Sequence, residues 1–288
     1  MENIIKKETF EKGKNTEIVL RIMRHGDRDL NGRLTNYGKE TTKKKTDASS
    51  DKYKDFFAVK PIGSEAGKRS GFGARALETA EIFAHGIDPD TIYNTRAENT
   101  LSYETLINKV PYNHVEIYNA NLPENHNELS DDKKAEAAKI AQKAVLNHSM
   151  SLETPDVMAY KKESAGAFAY LIKHYMDVAK RIKENSKVLI PAGTHGGIME
   201  MLLKYALVQE NNGEKRIGFS NINDIGGEFS PSDGYDVDIK TDEYGKIKKL
   251  LVNFDTDRPV AKGSYLDSGI VDELASYYES LHFKKENK

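Results

Sequence analysis

Ile18-Val19-Leu20-Arg21-Ile22-Met23-Arg24-His25-Gly26 is the stretch that decides the fold. Its apolar run reads as a strand buried on both faces apart from Arg21, the pattern of a strand inside a covered parallel sheet. It ends on a charged arginine, a histidine and a glycine. A second run, Val188-Leu189-Ile190-Pro191-Ala192, leads into Thr194-His195-Gly196-Gly197. Two histidines, each followed by glycine, thus stand at the ends of two buried strands, where open α/β sheets place their chemistry. An arginine directly before the first histidine points to an anion as ligand, phosphate first among anions.

The sequence between these runs reads as alternating strands and helices. Leu34-Thr35 opens a helix with Thr35 as N-cap. Phe56-Phe57-Ala58-Val59 is a second strand, ending at Pro61-Ile62-Gly63-Ser64. Ala74 to Ala84 is a helix with the apolar stripe Ala76, Leu77, Ala80, Phe83 and Ala84, and Arg75 falls in its first turn. Ser164 to Asn185 reads as a long helix, Ile198 to Val208 as another, and Val271 to His282 as the last. The segment 112–160 is polar and irregular with one clear helix, from about Asp131 to Asn147. It reads as a cap over the site. Alternation at 225–230, 235–240 and 246–253 around the turn Asp242-Glu243-Tyr244-Gly245 marks a C-terminal hairpin, about 225–253. The whole chain, 1–288, reads as one α/β domain carrying that insertion.

Composition narrows the function. Charged residues make up 31% of the 288 residues and the hydrophobic set 38%, a polar globular balance. A formal net charge of −2 gives no global field for nucleic acid or an anionic membrane, so an anion site must be built locally. Cysteine is absent, which excludes disulfides, thiolate metal sites and cysteine nucleophiles. The N-terminal residues lack the apolar core of a signal peptide, and a cytoplasmic location is the expectation.

Arg24, His25, Arg75 and His195 together suit phosphoryl transfer. The transferred group spreads negative charge over three oxygens, which arginines and an imidazole can hold by charge-assisted bonds. A histidine with one bare ring nitrogen attacks phosphorus, and arginines supply the positive charge without a metal. No cofactor is expected, and the partner expected is a phosphorylated small molecule, with phosphate or sulfate ion as simple occupants of the site. Arg28 is a further phosphate ligand. Asn31 and Thr35 neighbour the site in sequence, and Lys68 and Arg69 form a basic loop. His85, His114, His126, His148, His174 and His282 show no ligand spacing and read as surface or packing residues.

The ordered set Arg24-His25-Gly26, Leu34-Thr35-x-x-Gly38, Arg75-Ala76-Leu77-Glu78-Thr79-Ala80 and Thr194-His195-Gly196-Gly197 resembles the histidine phosphatase superfamily, on the branch containing the phosphoglycerate mutases. The match runs from about Ile18 to Leu203, with 120–160 unmatched. The resemblance implies a three-layer α/β/α sandwich with a mostly parallel central sheet. It implies His25 as the nucleophile that becomes phosphohistidine and Arg24, Arg75 and His195 as the phosphate pocket. An acid that protonates the leaving oxygen falls at Glu104, with Glu98 second. Asp27-Arg28 after the first motif is similar to the acid phosphatase and phytase branch. Gly196 after His195, where that branch has aspartate, places the chain nearer the mutases. The activity implied is metal-independent phosphomonoester hydrolysis. The alternatives are mutase-type phosphoryl transfer or a silent phosphate-binding module, and the irregular cap favours hydrolysis because a mutase must seal its phosphoenzyme from water.

Overall fold

Residues 17–24 alternate between two hydrophobic clusters, and that alternation builds the molecule. The computed structural model describes residues 11–29, 31–65, 74–87, 92–102, 113–211, 213–255 and 258–283. Strand β1 is Glu17–Arg24. Its Ile18, Leu20 and Ile22 enter one cluster with Phe168, Leu171, Ile172, Leu202 and Leu274. Val19 and Met23 enter the other with Tyr53, Phe56, Phe83 and Ala84. Side chains alternate across a strand, so helices cover both faces of the sheet and the architecture is a three-layer α/β/α sandwich.

Helices α1 (Asn36–Tyr53) and α2 (Arg75–Ile87) form one layer. Between them in sequence lie the short strands β2 (Ala58–Val59) and β3 (Ile62–Gly63), followed by β4 (Arg96–Ala97). Two helices, α3 (His114–Ala120) and α4 (Asp131–Ser151), pack on each other as the cap. Helix α5 (Pro155–Ala179) leads into β5 (Lys187–Thr194), α6 (Met199–Ala206), β6 (Leu207–Asn211) and β7 (Glu214–Ile217). The chain ends with β8 (Gly234–Lys240), β9 (Leu250–Phe254), β10 (Tyr265–Leu266) and α7 (Ser268–His282). Among the described residues, ten strands form one sheet in the order β4-β3-β5-β1-β8-β9-β10-β6-β7, with β2 also on β5. The part from β4 to β1 is parallel, and the part from β8 onward is antiparallel.

Three local readings change. Arg21 is 1% exposed and lies on the α1–α2 face, where its guanidinium pairs with Asp255 and Asp236. Tyr53 donates from its hydroxyl to Asp236 Oδ2 at 2.6 Å, so the buried charge is paired through both terminal nitrogens, while its Nε meets no acceptor among the described residues. The long helix begins at Pro155, earlier than Ser164, with proline in the first turn where its missing N–H costs nothing. The strand expected at 225–230 is a short 3-10 turn, Ile222–Ile225, closed by Gly226 and Gly227 at φ of +83° and +86°. Left-handed backbone breaks a strand, so the paired segments are β8 and β9.

Candidate active site

β1 and β5 are parallel neighbours with Arg24 opposite Thr194, so the next residue of each chain segment, His25 and His195, must emerge side by side at the carboxyl edge of the sheet. The His25 N–H donates to Thr194 O at 2.9 Å and locks that register one step beyond the strands. The ring centroids lie 5.1 Å apart at an interplanar angle of 66°. Both rings are buried, at 6% and 3% exposure.

The hydrogen bonds fix what each ring offers. His25 Nδ1 is 2.7 Å from Gly26 O. A carbonyl only accepts, so Nδ1 carries the proton and Nε2 is the bare nitrogen. The Gly26 N–H in turn donates to Thr79 Oγ1 at 2.9 Å, which ties the loop to α2. His195 Nδ1 faces Arg75 Nη2 at 3.4 Å, and its Nε2 lies 3.2 Å from Ser64 Oγ. A guanidinium only donates, so here Nδ1 accepts and the Nε2–H donates to Ser64. Burial above all pushes both histidines well below the ordinary value of 6.5. The neighbouring His195, Arg75 and Arg24 add to the effect on His25, and Arg75, Arg24 and Arg28 add to it on His195. Both rings are therefore neutral at pH 7.

The arginines arrive by different routes. Arg75 opens α2, whose first turn lies against β5 because residue 193 is glycine: a Cβ there would stand 1.8 Å from Ala76 O. This close approach brings the guanidinium to His195, and its Nη1 donates to Gly32 O at 3.3 Å. Arg24 ends β1 and runs past Gly196, where an added Cβ would meet Arg24 Cζ and Nε at 3.0 Å. Its Nη1 donates to Phe229 O at 2.6 Å, and the buried Nε meets no acceptor among the described residues. Arg28 is exposed and reaches the same cavity from the loop before α1. The cavity holds about 410 Å³, and Arg24, His25, Arg28, Arg75 and His195 share one end of it.

Several residues not expected from the sequence support this end. Ser64 follows β3, the neighbour of β5, and is fully buried against His195. Glu200 is also fully buried; its carboxylate accepts from Gly197 N at 2.7 Å and Phe229 N at 3.2 Å, joining the loop after β5 to the loop before β8. Burial is the main cause holding its carboxyl above the usual carboxylate range. Glu228 lies on the cavity wall with Oε2 3.6 Å from Arg24 Nη1. Arg258 clamps that loop by donating to Ile225 O and Gly227 O and stacking 3.9 Å over the Phe229 ring. His114, read as a surface or packing residue, lies half-buried on the cavity wall. The sequence signal for Ser64 was its place at a strand end, and for His114 its place in the cap.

Other expected residues fall elsewhere. Glu98 caps the 3-10 turn Asn99–Leu101 by accepting from Thr100 N and Oγ1, away from the cavity wall. Thr35 caps α1 by accepting from Gly38 N, and Asn31 is exposed outside the wall. Glu104, Lys68 and Arg69 lie outside the described residues. Among the described residues, no group of three or more His, Asp or Glu is placed to hold a metal ion, and no helix is long and apolar enough to cross a membrane.

No family model and no curated protein matches the chain. Solved structures do, at low identity. The chain is similar to the protein histidine phosphatase SixA complexed with tungstate, at 12% identity over 82% of this chain and 97% of that one, with a TM-score of 0.37. It is similar to a mycobacterial glucosyl-3-phosphoglycerate phosphatase at 15% identity, 84% and 98% coverage and a TM-score of 0.40. A phytase of Klebsiella sp. ASR1 aligns at 11% identity, 84% and 81% coverage and a TM-score of 0.36.

Proposed function

We propose that this chain is a phosphomonoester hydrolase of the histidine phosphatase type, working through a phosphohistidine on His25. One observation carries the reading: a buried, neutral imidazole whose Nδ1–H is held by a backbone carbonyl, and whose Nε2 is thereby left bare, lines the same cavity as three arginines. His25 Nε2 attacks phosphorus while the ester P–O bond breaks. The leaving alkoxide takes a proton, and water then cleaves the P–N bond to release inorganic phosphate and restore the neutral ring. Arg24, Arg28 and Arg75 hold the equatorial oxygens, and His195 joins the donors once it takes a proton at Nδ1. Arg24 and Arg75 are half-buried beside the two buried histidines, a setting where such bonds are stronger than in water, and Arg28 adds charge from the exposed side.

The proton comes from a carboxyl. Glu228 holds that place by position, as the carboxyl on the cavity wall among the described residues. Glu104 holds it by resemblance. Leaving-group dependence separates them: the Glu→Gln change that slows alkyl esters while sparing p-nitrophenyl phosphate, whose leaving group needs little protonation, marks the acid.

The reading is tested by rapid quench with a ³²P-labelled ester at alkaline pH. An acid-labile, base-stable label on the wild-type chain that is absent from His25→Ala supports it. A labelled His25→Ala chain, or phosphate release with that variant at the wild-type rate, removes it.

A further inference from the structure

The cavity wall carries more than the groups that suit a phosphate. Beside the arginines and histidines it has apolar and aromatic side chains: Val115 and Tyr118 come from α3, Val145 and Leu146 from α4, Tyr160 from α5 and Met201 from α6. Four helices thus converge apolar or aromatic groups on one space. Gln142, Ser149 and His114 add neutral or weakly basic polar groups. Leu146, Tyr160 and Met201 are buried beneath this wall, whereas Val115 keeps 53% of its surface open. An exposed valine beside a tyrosine on a short helix is apolar surface held ready to be covered.

Charge is equally uneven. Arg24, Arg28 and Arg75 are the arginines and lysines on the described wall, and all three belong to the phosphate end. Glu228 also lies at that end. A flat ring loses little on leaving water and gains contact with Tyr118, Tyr160 and Leu146. The volume of about 410 Å³ accommodates a phosphate with a ring-sized alcohol, within the ordinary range for small-molecule sites.

We infer that the apolar and aromatic part of the cavity wall binds an aromatic ring, so the substrates are monophosphates of ring-bearing alcohols. The inference rests on the hydrolase reading and names the substrate class of that same site.

The test compares kcat/KM for benzyl phosphate and 2-phenylethyl phosphate with that for glycerol 1-phosphate, 3-phosphoglycerate and inositol hexakisphosphate, using the full chain. The first three are alkyl esters with leaving groups of similar basicity, so a difference between them reads binding of the alcohol. The ring esters are expected to be favoured by about tenfold or more, the discrimination that apolar pockets give per small group. Tyr118→Ala, on the rim of the cap, is expected to cut the ratio of benzyl to glycerol ester several-fold through KM. Hydrolysis of glycerol phosphate with no preference for rings, or a preference for the phosphoglycerate or the hexakisphosphate, overturns the ring assignment and leaves the hydrolase standing. Failure to hydrolyse any ester, p-nitrophenyl phosphate included, removes the hydrolase and the inference with it.

Discussion

The loop after β1 and the loop after β5 each set a histidine and a glycine at the carboxyl edge of the sheet, yet the two imidazoles carry their protons on opposite nitrogens. His25 donates from Nδ1 to the carbonyl of the next residue, Gly26. His195 donates from Nε2 to the side chain of Ser64, on another strand. The first arrangement is local and obligatory, because a backbone carbonyl has no proton to give. The second is tertiary and adjustable, because a hydroxyl can donate or accept. On the proposed reading the difference sorts two otherwise similar rings into roles: His25 keeps a bare Nε2 for attack, and His195 keeps a bare Nδ1 beside Arg75 that takes a proton when an anion arrives.

Breaking the two units one at a time gives the largest effect. His25→Ala removes the atom that bonds to phosphorus, and turnover of p-nitrophenyl phosphate is expected to fall about 10⁴-fold or more. His195→Ala removes one donor to the transferring group and is expected to cost about 10²- to 10³-fold. Steady-state kinetics on the two variants ranks them, and the reverse ranking exchanges the roles. Arg75→Ala is expected to fall in the same band as His195→Ala. Arg75→Lys recovers only part of the loss, since a point charge cannot make the planar fork.

Protonation sharpens the comparison without touching the nucleophile. Both rings titrate well below the ordinary 6.5, chiefly because burial disfavours the charged form. At pH 6.5, ¹⁵N spectra of the imidazoles should therefore show two neutral rings, one protonated at Nδ1 and the other at Nε2. A half-protonated ring at that pH removes the assignment. A bound dianion reverses the balance at His195 by placing opposite charge beside it. Sulfate, which stays a dianion through this range, should bind with uptake of about one proton. Its affinity should rise as pH falls from 8 to 6. Calorimetry in buffers of different ionisation enthalpy reads that uptake. It should vanish in His195→Asn and persist in His25→Ala. The same linkage acts on stability. In the unfolded chain both rings take protons below 6.5 and in the fold they do not, so the empty protein loses stability as pH falls through that value.

What the sequence made legible follows from how local each signal is. The alternation of residues 18–23 and the two His-Gly dipeptides are carried within single strands, and they place His25 and His195 once the strands pair in parallel. Thr35 as a cap and Arg75 in a first turn are equally local. Arg21 looked like the exception in its strand because its partners, Asp236 and Asp255, come from β8 and the end of β9, more than 200 residues later in the chain. Glu200 and Glu228 were missed for the same reason. Each acts on a loop that only the antiparallel half of the sheet brings to the site. His114 is a cap residue on a helix of seven residues, too short for periodicity to reveal its face.

Ser64 gives the smallest expected effect and the most direct test of why the two rings differ. Its hydroxyl is fully buried and lies 3.2 Å from His195 Nε2. Ser64→Ala leaves the arginines, His25 and the bond from His25 to Gly26 in place, so the nucleophile and the charge around the phosphate are intact. What changes is the acceptor for the Nε2–H of His195. One neutral hydrogen bond is worth about 1 kcal/mol, so a loss of up to about tenfold in kcat is expected. The ¹⁵N pattern of His195 should become a mixture of tautomers while that of His25 stays fixed. If His195 keeps its Nε2 proton in Ser64→Ala, then Arg75 alone orients the ring, and the contrast between a backbone-held and a side-chain-held histidine gives way to one between a carbonyl and a guanidinium.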